Sequence, residues 1–186
     1  MATAIVALAL PGSAMAQPAA NARPAGGAVV AGSASISQSA STTTVDQTSQ
    51  RAAINWSSFN VGSRQTVTVD APSATAIILM RVIGPNPSQV AGHINSNGQV
   101  VITNAAGVDF YKGAQVNTGG LLVSAPGISN TNLMTGRLVF GQTPSPNATV
   151  TNAGTITVGD GGTAGMLAPA VANQGVVTAK LSIRTD

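Results

Sequence analysis

From Val90 to Ser124 the chain repeats one short phrase: a β-branched or apolar run, then a turn rich in Asn and Gly. Gln99-Val100-Val101-Ile102-Thr103 follows Asn97-Gly98 and precedes Asn104-Ala105-Ala106-Gly107. Val108-Asp109-Phe110-Tyr111 closes at Lys112-Gly113, Ala114-Gln115-Val116-Asn117 at Thr118-Gly119-Gly120, and Leu121-Leu122-Val123-Ser124 follows. These runs predict strands too brief for a sandwich, with no helical pattern between them to make βαβ units. The remaining arrangement stacks them as coils of a parallel β-helix, in which no single coil buries its own apolar face. Alternation predicts an interior of Val100, Ile102, Val108, Val116, Leu122, Ile156 and Val158.

The same pattern extends both ways. Val29 to Asp46 alternates small and polar residues around Ile36 and Val45, and is expected to cap the N-terminal end, where a coil would otherwise expose unpaired strand edges. Ala53 to Gly62 and Gln65 to Val69 read as strands. Ala76 to Ile83 is the most apolar run after the N-terminal segment. Its length and its Gly84-Pro85 stop favour a buried strand over a helix. Ala125 to Gly136 is less regular, Arg137 to Phe140 reads as a strand, and Gln142 to Asn147 as a loop. Asn152-Ala153-Gly154 and Asn173-Gln174-Gly175 then recur 21 positions apart, a plausible coil. At roughly 4.8 Å per coil, about seven coils would make a rod of about 34 Å. The expected fold is an all-β, right-handed parallel β-helix with an N-terminal cap and almost no helix.

Composition agrees with stacking. Charged residues are 7% of the chain, and Glu is absent, against roughly 25% charged in an average soluble domain. In-register charges would repel from coil to coil, whereas Thr and Asn ladders do not. The net charge of +3 is spread thinly, with no basic cluster, so no nucleic-acid partner is expected. With no cysteine, disulfides, a thiolate zinc site and a thiol nucleophile are excluded.

Residues 1–16 read as the second half of a secretory signal peptide. Ala4 to Leu10 is an apolar run shorter than the about 20 residues that span a bilayer, and Ala14-Met15-Ala16 is a small-x-small cleavage site. The basic region that would precede it is missing, so translation is expected to start further upstream. Residues 17–28 are rich in Ala, Pro, Gly and Asn and are expected to be a flexible leader. Residues 29–186 form the main domain. It stops inside a strand-like run, Leu181 to Arg184, and is expected to continue beyond Asp186.

Several motifs in fixed order resemble the N-terminal secretion domain of two-partner secretion exoproteins, the filamentous-haemagglutinin-like adhesins and haemolysins. Gly32-Ser33-Ala34-Ser35-Ile36 opens the domain. Trp56, Phe59, Asn60 and Gly62 carry a W-x-S-F-N-[IV]-G element. Arg81 and Gly84 carry N-R-V-x-G, with Met80 where that family has Asn. Asn97-Gly98 and Gly107-Val108-Asp109-Phe110 flank the place of its N-P-N-G turn, which here is Asn104-Ala105-Ala106-Gly107 without the rigid proline. Gly119-Gly120-Leu121 and Val150 to Gly154 also fit. The resemblance covers about residues 30–180. It implies a secretion and folding-nucleation domain of a larger adhesin or haemolysin, captured in the periplasm of a Gram-negative cell by a partner outer-membrane transporter. It also implies that the turn at Asn104, Gly107, Asn97 and Gly98 is either read by that transporter or is only a coil corner. A host surface would be reached through the downstream region, and the domain itself is expected to be a monomer. A second reading is a short β-helical surface adhesin with no dedicated transporter.

No catalytic residue, metal or cofactor is expected. His93, the one histidine, reads as a polar strand-end residue, and no G-x-S-x-G elbow is present. A single Asp-bearing turn, Gly159-Asp160-Gly161-Gly162, offers too few oxygen ligands for calcium, so Asp160 is expected to serve turn amides. Trp56 and Phe59 are expected to pack in the core or against an end cap. Asn104→Ala, losing one side-chain hydrogen bond, is expected to cost about 1 kcal/mol. The N-terminal pattern predicts cleavage after Ala16. N-terminal sequencing of exported protein should begin at Gln17, and material beginning at Met1 would refute the signal peptide.

Overall fold

The computed structural model describes residues 16–179. Most of the expected signal peptide and the run Leu181 to Arg184 therefore lie outside the described residues. The described chain begins with two strands, β1 (Ala28–Ala31) and β2 (Ala34–Gln38), and then winds upward. The first coil holds β3 (Thr42–Gln47) and β4 (Arg51–Trp56). The second holds β5 (Thr66–Asp70), β6 (Ile77–Val82) and β7 (Ser88–Val90); the third, β8 (His93–Ser96), β9 (Gln99–Asn104) and β10 (Gly107–Phe110). In the fourth, β11 (Gln115–Thr118) and β12 (Gly120–Ser124) are followed by an excursion of β13 (Gly127–Ile128), α1 (Asn130–Met134) and β14 (Phe140–Gln142) before β15 (Thr149–Asn152). The fifth holds β16 (Thr155–Val158), β17 (Ala164–Leu167) and β18 (Ala170–Asn173), and β19 (Val176–Ala179) opens a sixth.

From the second coil to the fifth, each contributes to the same three parallel sheets. β4, β6, β9, β12 and β17 form one wall; β3, β5, β8, β11, β16 and β19 the second; β7, β10, β15 and β18 the third. Among the described residues the longest column has six parallel strands, not the seven expected. The difference lies in coil length. Thr42 pairs with Thr66, Thr66 with His93, His93 with Gln115, Gln115 with Thr155 and Thr155 with Val176, so successive coils take 24, 27, 22, 40 and 21 residues. The 40-residue coil contains the excursion.

The interior is built of columns in strict register. In the first wall Ala52, Ile78, Val100, Leu121 and Ala164 stack, as do Ile54, Met80, Ile102, Val123 and Met166. In the second wall Thr43, Val67, Ile94, Val116, Ile156 and Val177 stack. Val100, Ile102, Val108, Val116, Ile156 and Val158 are buried in this core as the alternation predicts. Leu122 is not. The pleat turns Leu121 and Val123 inward, and Leu122 points outward into a second cluster with Ala53, Leu79, Val101, Ile128 and Leu133. The apolar run from Ile77 to Met80 has the same cause: the first wall is covered on both faces, inside by the coil and outside by the excursion. The second wall faces water with an uncharged ladder, Thr44, Thr68, Asn95, Asn117, Thr157 and Thr178.

The N-terminal end is closed. β1 pairs antiparallel with β4 and β2 antiparallel with β3, so the first coil has no free edge in either wall. Residues 17–28, expected to be a flexible leader, instead run as a strap over the lower coils. Ala20 and Ala22 carbonyls accept the Arg64 and Gly62 amides, Ala25 bridges Ser58, and Arg23 donates to the Ser39 carbonyl. Small residues permit this close approach: a Cβ on Gly62 would lie 2.2 Å from the Ala19 carbonyl oxygen.

Ile102 is fully buried in the column between Met80 and Val123. Ile102→Asp should therefore cost several kcal/mol, on the order of 4. Leu133→Ala, in the outer cluster, should cost about 2–4 kcal/mol. Chemical denaturation of each variant checks both values. An unchanged Leu133→Ala would show that the excursion does not cover the wall in solution.

Candidate functional site

Most motif residues named from the sequence gather where the first wall turns into the third. Trp56 and Phe59 are both buried, edge to face with ring centroids 5.8 Å apart. Strand β4 ends at Trp56, and the turn at Ser57-Ser58 brings the two rings to one side, which a regular strand would not do. The Trp56 indole N–H donates to the Met80 sulfur at 3.3 Å. A Cβ on Gly27 would meet the Trp56 ring at 2.6 Å, so the strap seals the aromatic pair from below. This is end-cap packing, not an exposed aromatic patch.

The loop from Ile83 to Gln89 is gripped from the coils on either side. From below, Asn60 Oδ1 accepts the Gln89 amide at 2.9 Å, and the Ile83 amide donates to the Trp56 carbonyl. Gly84 passes so close to Ser57 that a Cβ would sit 2.1 Å from its carbonyl oxygen. From above, Asn104 Nδ2 donates to the Asn86 carbonyl at 3.0 Å and to Ser88 Oγ at 2.9 Å, while its Oδ1 accepts the Ala106 amide at 2.9 Å. Asn104 is buried, at 1% exposure, so a docking protein would not reach it in the folded domain. Gly107 takes φ +110°, and a Cβ there would lie 2.3 Å from the Thr149 carbonyl oxygen of the next coil. Its lack of a side chain serves both the turn and the stacking.

The other motif residues stand apart. Asn97 clamps the corner between the second and first walls: its amide takes both the Ala71 N–H and C=O at 2.7 Å. Gly98 beside it packs on Ala71. Arg81 lies on the outer face of the first wall and pins the excursion. Its guanidinium donates to Asn55 Oδ1 at 3.0 Å, and to the Ile128 carbonyl and Asn130 Oδ1 at 2.7 Å. Partial burial lowers its pKa from the ordinary value, but arginine stays charged at any physiological pH. His93 is half-buried on the outer face of the second wall, in register between Thr66 and Gln115. Asp160 is exposed in a turn whose own closing bond is Gly162 N–H to the Gly159 carbonyl.

Sequence reasoning missed four contributors. Gln89 donates through Nε2 to both the Ala16 carbonyl and the Tyr111 hydroxyl at 3.0 Å, and Tyr111 donates to the same carbonyl at 3.2 Å. Asn130 completes the Arg81 contact, and Ser129 caps α1 by accepting the Asn132 amide. The signal for the excursion was present in the excess of apolar residues, Ile128, Leu133, Leu138 and Phe140, in a stretch without regular alternation. Nothing local marked Gln89 or Tyr111, because their partners lie 73 and 95 positions away.

A capped parallel β-helix latched by Asn side chains at its corners is the class of structure these residues define. The sequence matches the TPS (two-partner secretion) secretion domain over residues 20–185, and the chain belongs to that family. The fold is similar to the crystal structure of the HMW1 secretion domain from Haemophilus influenzae, with a TM-score of 0.77 and 30% identity over 84% of this chain and 42% of that one. Two curated relatives are heme/hemopexin-binding proteins of Haemophilus influenzae. One is 40% identical over 81 residues, 44% of this chain. The other, from strain Rd, is 35% identical over 107 residues, 53% of this chain. The matches cover only 9% and 12% of those proteins' own length.

Three hydrogen bonds to a buried Asn104, rather than one, raise the expected cost of Asn104→Ala to about 3 kcal/mol, since Ser88, the Asn86 carbonyl and the Ala106 amide lose their partner together. Asn104→Asp keeps the Ala106 bond but turns an acceptor-only oxygen onto the Asn86 carbonyl in a buried site, so it should cost at least as much as the alanine variant. Thermal melting of the pair checks the order. A loss near 1 kcal/mol for the alanine variant would mean that water replaces the latch.

Proposed function

We propose that this chain is the N-terminal secretion and folding-nucleation domain of a larger exported protein, captured in the periplasm by a partner outer-membrane transporter. The observation that carries the reading is the family match over residues 20–185 on a fold shared with the HMW1 secretion domain. The small share of the relatives' length that it spans supports a role as one part of a longer exoprotein. Heme/hemopexin binding is the activity those relatives are named for, and it is not part of this reading.

The physical logic follows from the coils. A sparsely charged, cysteine-free chain has no disulfide to block a narrow barrel, and it folds only by adding coils to an existing template. The first coil is closed below by β1, β2 and the strap, so growth has one direction. At the upper end of the described coils Val171 and Val177, which continue the inward columns of Val150 and Ile156, are exposed at 49% and 38%. A further coil laid on them would bury apolar surface, and that free energy biases translocation outward without ATP. Gram-negative export, a signal peptide removed after Ala16, monomeric behaviour and the absence of catalysis all belong to this reading.

Asn104 and Gly107 then act in export through the fold, as corner latches. Direct reading by the transporter falls to the less regular segments Ser33 to Gly62 and Ala125 to Gly136. The test is an export assay with and without the partner barrel, reading the chain in periplasm and medium. Export should require the barrel, and Asn104→Ala should lower the yield of folded protein outside rather than capture inside. Undiminished export without the barrel would instead support a short adhesin with no dedicated transporter.

A further inference from the structure

The outer face of the third wall carries a groove of about 850 Å³ that no export step uses. Its floor is a register column, Asp109, Thr151 and Ala172, one residue from each of three successive coils. The groove therefore runs along the helix axis for about 10 Å, two coil spacings. Asn147, from the loop after the excursion, forms one side, and the Tyr111-Lys112 corner the other. Gln174 lies at the upper end and Gln17 of the strap at the lower.

We infer that this groove is a binding site for a neutral linear oligosaccharide, with Tyr111 as the stacking platform and Asp109, Asn147 and Gln174 as hydroxyl partners. Three observations converge on this. First, the groove holds the chain's one tyrosine, half-buried on its wall. Trp56, Phe59 and Phe110 are fully buried, and Phe140 packs on the outer cluster. The accessible tyrosine ring of this protein thus lies in this groove. Second, the ring is held in place. Its hydroxyl receives Gln89 Nε2 at 3.0 Å, a bond that stays when the chain begins at Gln17, so less freedom remains to lose on stacking. Burial, together with the Asp109 carboxylate, outweighs the Gln89 bond and pushes the phenol pKa up, which keeps the hydroxyl a donor.

Third, the polar lining is amide and hydroxyl with one charge of each sign, Asp109 and Lys112. Such a lining matches sugar hydroxyls. It does not match a sulfated, sialylated or phosphorylated glycan, which would need several cations. One Asp109 oxygen already accepts Thr151 Oγ1 at 2.6 Å, fixing the carboxylate. An extended peptide would need an open strand edge to pair with. The groove instead crosses β10 and β15, which are hydrogen-bonded to neighbours on both sides, and only β18 at its upper end has an open edge. The inference is independent of how the chain is exported, since it concerns the folded domain alone.

The test titrates the full-length folded chain with cello-, malto- and chito-oligosaccharides of two to six units. The readout is the ring resonances of the single tyrosine. Binding should be weak, with Kd of about 0.1–1 mM, and should tighten with length until the groove is filled, then level off. Tyr111→Ala should weaken it about tenfold or more. Tyr111→Phe keeps the ring and should bind nearly as the parent does. Asp109→Asn should weaken binding while melting stays unchanged. Three results would overturn the assignment: no tyrosine shift with any neutral series at about 10 mM; binding of heparin only, lost with added salt; or equal binding by Tyr111→Ala. If Tyr111→Ala also loosens the strap, Tyr111→Phe separates the two effects. It lacks the strap bond but should still bind.

Discussion

Everything in this molecule rests on in-register stacking of apolar side chains from coil to coil. A single coil of about twenty residues cannot bury its own interior face, and isolated short strands are unstable in water. The columns through Ile54, Met80, Ile102 and Val123, and through Val67, Ile94, Val116 and Ile156, exist only because each level repeats the geometry of the one below. Register is set at the corners. Asn60, Asn97 and Asn104 reach from one coil to the backbone of another, and a slip of one residue would turn each apolar column to the solvent.

That constraint explains the low charge. A residue on an outward face lies next to its counterpart a strand spacing away, so like charges would meet repeatedly. The ladder of Thr44, Thr68, Asn95, Asn117, Thr157 and Thr178 meets this with uncharged hydrogen-bonding groups. The same constraint explains the ends. A stacked structure has two exposed faces, and one is closed here by antiparallel strands and a strap that lies against Gly62. The asymmetry gives the fold a beginning and a direction of growth.

The excursion after β12 shows how an interruption is accommodated. Residues between Ser124 and Thr149 leave the column, yet β15 re-enters in register with β10. The inserted segment lies on the outside of the first wall, where Leu79, Val101 and Leu122 offer an apolar strip and Arg81 a fixed donor. Arg81, which sequence comparison within the family would mark only as a motif residue, thus joins the insertion to the helix.

The sequence by itself determined the repeat and its consequences. Short alternating runs, Asn-Gly punctuation and the 21-residue recurrence of Asn152 and Asn173 required stacking, and those two asparagines do bond across coils at 2.9 Å. Local pattern sufficed there because strand period and turn chemistry are local properties. Tertiary structure alone decided which face of a two-sided strand is inside. Leu121 and Leu122 are identical in chemistry, and only the excursion, folded against one of them, separates core from cover. It also decided that the Pro- and Ala-rich leader is a strap, and that Asn104 is a buried latch. It brought Gln89, Tyr111 and Ala16 to one point. Those outcomes depend on contacts between residues tens of positions apart, and no window of sequence contains both partners.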